Sequence, residues 1–473
     1  MLEHHGLWIG GQLVEPDTTA TIQVESPSTE EIIGSVPDAS TGDVDRAVAA
    51  ARSSFDHGKW SRWTWEERAA VLQTAADILA PQADDLSRLV TSENGVMLAY
   101  RQGDVASQFA WYLGLPPSTA ERRVAPSGEQ GLIVKEPVGV VAAILPWNAP
   151  VSLALSKVIP ALLCGCSVIW KPAPETPLHA YAIYEAFQQA GLPPGVLNVL
   201  TAGREVSEYL VAHPGVDMVS FTGSTAAGKR IGAVCGGQVK RVALELGGKS
   251  AAIILDDFDV SKARAVLGAG MLRNSGQACA ALTRLLVPRQ REAELVDAFA
   301  AIASAVKVGD PFDLTTVVGP LIADRQRERV LNYIDVARDE GARVVVGGRR
   351  PEGLPKGYYV EPTLLASCTN DMRSSREEIF GPVASVIAYD SVDEAIAIAN
   401  DSPYGLAGAV FSEDVERATR IASQIRAGNV GVNTASSNIA FPFGGYHESG
   451  IGRQHGTECL HEYQEIKAIV GAA

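Results

Sequence analysis

The rhythm of apolar positions changes along the chain, and each rhythm predicts a different element. Residues 1–40 are turn-rich, with short strand-like pieces. Helical spacing follows. Val44, Val48, Ala51 and Phe55 share one face after the cap candidate Thr41, and Trp65, Ala69, Leu72, Ala76 and Leu79 share another, closed by Pro81. Such stripes face a core. A third helical stretch, about 104–113, carries Phe109, Trp111 and Tyr112. These read as core packing, with a substrate-pocket wall as the alternative. Pro116-Pro117 stops that helix, and 118–137 reads as a polar hairpin leading into Leu132-Ile133-Val134-Lys135.

From there the texture is that of parallel sheets. Val138 to Leu145 is an unbroken apolar run, as expected of a strand covered on both faces. Ser167–Trp170, Val196–Leu200, Met218–Phe221 and Val239–Leu246 supply further strands, with helical segments such as His179–Ala190 between them. A second alternating block runs from Ser250 to about Phe443, with strands expected at Ala251–Leu255, Leu285–Val287, Val344–Val346, Val383–Tyr389, Gly408–Phe411 and Asn429–Val432. The fold class is therefore α/β, with two open sheets. The tail ends in the strand-like run Glu465–Val470, which has no partner nearby in sequence. Val151 to Trp170 is the most apolar long stretch, but Lys157, Pro160 and Gly165 interrupt it, so no membrane span is expected.

At 473 residues the chain exceeds what one core supports, so two or three domains are expected. A net charge of −15 argues against nucleic acid or an anionic membrane as partner. Six irregularly spaced cysteines suggest no disulfide framework, and the N-terminus has neither a basic nor an apolar leader segment. Together these point to the cytoplasm. Cys164-Gly165-Cys166 reads as packing, and His455, Cys459 and His461, near one helical face, lack the further ligands usual in a metal site. No metal is expected.

Asn274-Ser275-Gly276-Gln277-Ala278-Cys279-Ala280 sets one thiol among small residues after a glycine turn. A nucleophilic cysteine needs that access, and needs nearby backbone N–H donors for the charge that develops on attack. On the burial habit of free cysteine alone, a packing role is the commoner one. Phe221-Thr222-Gly223-Ser224 through Arg230 lies where a strand gives way to a helix, with small residues that free N–H groups for a phosphate. Arg230 replaces the hydroxyl residue that a P-loop needs, which turns the reading from a nucleoside triphosphate to a dinucleotide. Glu245 ends an apolar strand before Gly247-Gly248, where a partly desolvated carboxylate could be a general base or simply a surface ion-pair partner. Asn148, between Trp147 and Ala149-Pro150, could offer an amide to an oxyanion or merely form a turn.

In sum, the chain resembles the NAD(P)-dependent aldehyde dehydrogenase superfamily along nearly its whole length. The resemblance rests on Pro146-Trp147-Asn148, Lys171-Pro172, Phe221-Thr222-Gly223-Ser224, Glu245-Leu246-Gly247-Gly248-Lys249, Gly276-Gln277-Ala278-Cys279, Glu377 to Pro382, Pro403-Tyr404-Gly405-Leu406 and Pro442 to Gly445, all in family order. It implies a Rossmann-like cofactor domain from 1–117 and 138–246, a catalytic domain from 247–443, and a β oligomerisation arm from 118–137 and 444–473. It further implies a homotetramer, or alternatively a homodimer, with the terminal strand adding to a neighbouring subunit's sheet. By similarity Cys279 attacks an aldehyde, Asn148 holds the oxyanion, and Glu245 activates the water that hydrolyses a thioester. Cofactor contacts are implied for Ser224 and the adjoining helix start, Lys171, Glu378, Phe380, Leu145, Pro146, Trp147, Gly203, Phe221, Thr222, Gly223, Leu246 and Gly247.

NAD is the expected cofactor. NADP stays open, because Pro174 stands where NAD-preferring relatives often carry a glutamate and Glu175 comes one place later. Apolar pocket candidates (Phe109, Trp111, Tyr112, Ala278, Ala280 and Asn438–Phe441) favour a neutral or hydrophobic aldehyde over a dicarboxylic semialdehyde. A CoA-acylating enzyme is the first rival, countered by Glu245. A silent homologue is the second, countered by the joint presence of Cys279, Glu245 and Asn148.

Overall fold

Two largely parallel sheets organise the chain, and their long apolar strands are buried on both faces. The computed structural model describes residues 1–117, 120–435 and 438–471; the ends of the expected arm segments, 118–119 and 472–473, lie outside them. The first sheet contains β1 (Val140–Ile144), β2 (Ser167–Lys171), β3 (Leu197–Val199), β4 (Met218–Thr222) and β5 (Arg241–Glu245), all mutually parallel. Its order is Gly450–Ile451, β5, β4, β1, β2, β3, Leu7–Ile9, Gln12–Val14, with antiparallel strands at both edges. Two apolar layers cover it, one holding Val141, Val168 and Trp170 and the other Val140, Ile169 and Val219. That burial explains why these strands show no polar alternation.

The second sheet runs in the order Arg343–Val346, Thr363–Ala366, Val383–Tyr389, Leu282–Pro288, Ser250–Ile254, Ala407–Phe411, Asn429–Val432, parallel except at its first pair. It too lies between two apolar layers.

Several expectations need correction. The N-cap of helix Thr41–His57 is Ser40, not Thr41: its hydroxyl accepts from Asp43 N at 3.2 Å while Asp43 accepts from Ser40 N at 2.7 Å. This reciprocal pairing satisfies two otherwise orphaned donors. Val239 is not in a strand; it is 92% exposed in a left-handed turn with φ 56°. Thr363–Ala366 is a strand that periodicity did not reveal. The terminal strand Gln464–Val470 does have a partner within the chain. It pairs antiparallel with Gln130–Pro137, which also pairs with Glu121–Val124. Residues before it, expected in the arm, return to the first sheet instead: Gly450–Ile451 flanks β5, and Cys459, Leu460 and Tyr463 enter the first core. Helix Pro150–Cys164 is buried nearly throughout and ends at Gly165. No helix among the described residues is long and apolar enough to cross a membrane.

Candidate active site

From β1 the chain builds β2 and β3 to one side, then crosses to build β4 and β5 on the other. The order of the sheet therefore reverses between β1 and β4, and a crevice opens there beyond the carboxyl ends of the strands. A cleft of about 670 Å³ occupies this place, within the range of about 300–1,000 Å³ typical of ligand sites. Leu145, Pro146 and Trp147 enter it from β1, Lys171 from β2 and Gly203 from the loop after β3. Phe221, Thr222, Gly223 and Ser224 enter it from β4. Ser224 caps helix Thr225–Gly237, its hydroxyl accepting from Ala227 N at 3.3 Å. The first turn of that helix lies at the cleft wall with Ala226 and Ala227, and a helix start of this kind suits an anion.

The fit of a dinucleotide is tested by what the cleft tolerates. A Cβ on Gly223 would collide with the Phe221 ring, and one on Gly228 with Leu246. These two glycines let the turn and the helix pack tightly at the end of β4, and Gly223 leaves no side chain in the cleft that a dinucleotide would occupy. Lys171 is buried, which pushes it down to about 8 against the pull of Glu175 and Asp38. Glu175 also lines the cleft and is ion-paired with Arg325 from helix Asp324–Asp339.

Four expected contacts fall outside the lining of this cleft. Leu246 packs its side chain against Gly228 and seats the helix. Gly247 lies beneath the Glu378 carboxylate, and its carbonyl accepts from Ser449 Oγ at 2.7 Å. Glu378 accepts from Gly248 N at 3.0 Å, and burial lifts it to about 7. Phe380 meets Trp147 edge-on with centroids 5.4 Å apart, which brings it to the rim of the cleft.

Cys279 sits in a constrained loop. Asn274, Ser275 and Gly276 are all left-handed, with φ of 49°, 56° and 74°. For the two non-glycine residues such a conformation costs about 1–2 kcal/mol each. A Cβ on Gly276 would strike the Gly381 carbonyl, so that position requires glycine. The loop leaves Cys279 half-buried beside Ala280, Leu406 and Phe443, while the other five cysteines are buried and free. Burial pushes its thiol up to about 12, with Glu378 and Glu245 adding to the shift and Arg273 and the Ala280 N–H opposing it.

Glu245 is 4% exposed at the end of β5. That overturns the surface ion-pair alternative. Its Oε2 is buried without a hydrogen-bond partner among the described residues. Burial lifts the carboxyl to about 8, against Lys157 and Arg453. A Cβ on Gly444 would come within 2.8 Å of its Oε1, so the loop Pro442–Gly445 closes over it. Asn148 is buried and donates from Nδ2 to the Gln277 carbonyl at 2.9 Å, which brings it to the Cys279 loop. The structure thus assembles the three expected catalytic residues from β1, β5 and the turn before strand Leu282–Pro288.

Sequence reasoning missed the charged wall of the cleft. Arg204 and Arg230 both pair with Glu208, at 2.9 Å each, and all three line it. Arg230 stood out only as the departure from a P-loop pattern, and Arg204 and Glu208 only by an i,i+4 spacing shared with ordinary surface residues. Of the pocket candidates, Phe109 and Tyr112 are 1% and 0% exposed and belong to the first core, with Phe187 6.1 Å from Phe109. Trp111 is half-buried against the same cluster. Ala280 is buried beside Cys279, whereas Phe441 is 62% exposed. His455, Cys459 and His461 do not share an α-helical face, because Glu458–Tyr463 is a 3-10 turn; no group of three or more metal-ligating side chains occurs among the described residues.

Comparison with known proteins gives the same direction. The model of the aldehyde dehydrogenase family matches residues 13–469. Geranial dehydrogenase of Castellaniella defragrans is 43% identical over 474 residues, 99% of each chain. An aldehyde dehydrogenase of Mycobacterium tuberculosis, solved in complex with NAD+, superposes with a TM-score of 0.92 at 43% identity, over 99% of this chain and 98% of that one. A mutant of aldehyde dehydrogenase C from Pseudomonas syringae, complexed with NAD+ and octanal, superposes with a TM-score of 0.94 at 40% identity, over 99% and 97%.

Proposed function

The chain belongs to the aldehyde dehydrogenase family and oxidises an aldehyde to a carboxylic acid with reduction of NAD(P), and from that premise we propose that Cys279, Asn148 and Glu245 carry the reaction on a neutral, apolar aldehyde, with NAD as cofactor. The observation that carries this reading is the Glu245 carboxylate: buried, with one oxygen unpartnered, and close enough to Cys279 to raise its thiol. A desolvated carboxylate with one oxygen left free to take a proton suits a general base.

The thiol of Cys279 gives its proton to solvent water as its sulfur bonds to the aldehyde carbon and the carbonyl π pair moves onto oxygen. At about 12 the resting group is overwhelmingly the thiol, so attack must be drawn forward by stabilising the adduct. One hydrogen of the Asn148 amide is committed to the Gln277 carbonyl; the second, with the backbone N–H of Cys279, holds the oxyanion. Each such donor is worth about 3–4 kcal/mol. What NAD supplies when bound is the acceptor for the hydride lost from that carbon. The thioester left on Cys279 is then opened by water whose proton passes to Glu245, which releases the acid and restores the thiol.

We assign cofactor binding to the first sheet (1–117 and 138–246), with Lys171, Ser224 and the helix start at Thr225 at the phosphates and ribose, and Glu378 and Phe380 at the nicotinamide end. Residues 247–443 form the catalytic part. NAD is favoured over NADP because the Glu175 carboxylate stands in the cleft beside Lys171. The apolar surroundings of Cys279 support the substrate class, as do the geranial and octanal named for two relatives. The open edge of strand Gln464–Val470 supports self-association, as a homotetramer or, alternatively, a homodimer. Six unpaired thiols suit a cytoplasmic protein.

The test is reduced-nicotinamide formation with aliphatic, aromatic and semialdehyde substrates, run with NAD and with NADP and without CoA. Turnover on apolar aldehydes with NAD is expected. Turnover that appears only when CoA is added would replace the hydrolytic reading with acyl transfer.

A further inference from the structure

We propose that Asn274 is a positioning residue that clamps the loop of Asn148 to the loop of Cys279 and so fixes the oxyanion donor; this role rests on the reaction proposed above. The geometry is a small closed network. Asn274 Nδ2 donates to the Asn148 carbonyl at 3.0 Å and to the Gln277 carbonyl at 3.2 Å. The same Gln277 carbonyl accepts Asn148 Nδ2 at 2.9 Å. One side-chain amide therefore spends its hydrogens on both loops, and the Asn148 side chain closes the ring.

The amide of Asn274 is itself held in place. Its backbone is left-handed, with φ 49°, a conformation that asparagine accepts better than most residues. The backbone carbonyl of Asn274 accepts from Gln277 N at 3.0 Å, and the Gln277 side chain is fixed in turn by accepting from Ile322 N at 3.0 Å. Asn274 is 9% exposed. With both hydrogens engaged it has none for a substrate, so its contribution is to orientation. Without it, the Asn148 carbonyl keeps only the long 3.4 Å contact from Gln102, and the residue bearing the oxyanion donor can pivot about its link to Gln277.

The variants are Asn274→Ala and the isosteric Asn274→Asp, which keeps the packing but turns acceptor oxygens towards two carbonyls. Both are compared in the full-length protein with Asn148→Ala and the double variant Asn148→Ala/Asn274→Ala. A misplacement of about 1 Å costs on the order of 100-fold in rate, so kcat should fall about 10- to 100-fold. Aldehyde KM, NAD affinity and the rate of Cys279 alkylation by iodoacetamide should each stay within about twofold, because an oxyanion contact acts only after attack. The double variant should be no slower than Asn148→Ala alone, the signature of one residue acting through the other. Additive losses, or a kcat for Asn274→Asp within about threefold of wild type, would overturn the clamp while leaving the overall reaction intact. Changed alkylation or NAD affinity in both Asn274 variants would also overturn it, as general disruption of the loop. A wild-type chain with no turnover on any aldehyde would refute the reaction and this role with it.

Discussion

The pH profile of turnover should belong to Glu245. Burial moves its carboxyl from 4.5 to about 8, a difference of about 5 kcal/mol between its protonation states. A base with that value is ionised in about one molecule in eleven at pH 7 and about ten in eleven at pH 9. A hydrolytic step that needs the carboxylate should therefore quicken about tenfold over that interval. Stopped-flow detection of reduced nicotinamide separates the steps: the first turnover reports thioester formation, and the steady phase reports hydrolysis. In Glu245→Gln the first turnover should remain, at about one equivalent per active site, and the steady rate should drop on the order of 10²–10⁴-fold. Intact mass spectrometry should then find the acyl group on Cys279. A steady phase that is flat across this pH range, or a variant within tenfold of wild type, refutes Glu245 as the base.

The same group has a signature in stability. Its folded value lies above its unfolded one, so its contribution is complete below about pH 4.5 and is lost as the pH rises through about 8. Lys157, buried and pushed down to about 8, runs the opposite way; in the variant it loses the pull of Glu245 and moves lower still, which adds to the same trend. Urea midpoints of Glu245→Gln should therefore gain on wild type between about pH 6 and pH 9. A difference that does not change with pH would mean the carboxyl is not held near 8.

Cys279→Ala should abolish turnover yet retain NAD affinity, measured by fluorescence titration; appreciable residual oxidation would remove Cys279 as the nucleophile. Arg284 is 2% exposed and donates to the carbonyls of Lys249, Ile398 and Ala399 at 2.8–2.9 Å. Arg284→Met strands all three and should cost about 3–5 kcal/mol in urea unfolding; a loss below about 1 kcal/mol would show that they find other partners. Ile466 and Val470 are 71% and 65% exposed on the terminal strand. Ile466→Asp should shift the sedimentation profile to a smaller species, and an unchanged mass would take this face out of the assembly.

What was legible in the sequence follows physical range. The parallel strands stood out because burial on both faces leaves unbroken apolar runs, as in Val140–Ile144 and Val383–Tyr389. Thr363–Ala366 escaped because four residues show no period of their own. It is a strand only because Val383–Tyr389 and Arg343–Val346 flank it. Ser40 and Thr41 carry equivalent hydroxyls, and only the extended backbone of Ser40, with ψ 174°, decides which one caps. The partner of the terminal strand lies more than three hundred residues earlier, at Gln130–Pro137, beyond any local signal. Phe109 and Tyr112 were ambiguous because one helical face can turn to a core or to a pocket, and Phe187 is what makes it core.

The site adds a further distinction, between identity and tuning. Cys279, Glu245 and Asn148 could be singled out because their neighbours are small or turn-forming, which is a local property. Their reactivity is not local. Glu245 reaches about 8 because loops from far along the chain exclude water from it, with Gly444 above and Gly450 paired beside it across the sheet edge. The Cys279 thiol is raised by burial and by the carboxylates of Glu378, in the loop before strand Val383–Tyr389, and Glu245, at the end of β5. The two halves of the reaction meet where the carboxyl ends of the first sheet face the second, and Gly247-Gly248 carries the chain from Glu245 directly into strand Ser250–Ile254. That short passage sets the base at the junction of the two sheets, near enough to the Cys279 thiol to act on it. The Glu245 carboxylate then raises the Cys279 thiol, and no single segment of sequence contains that perturbation.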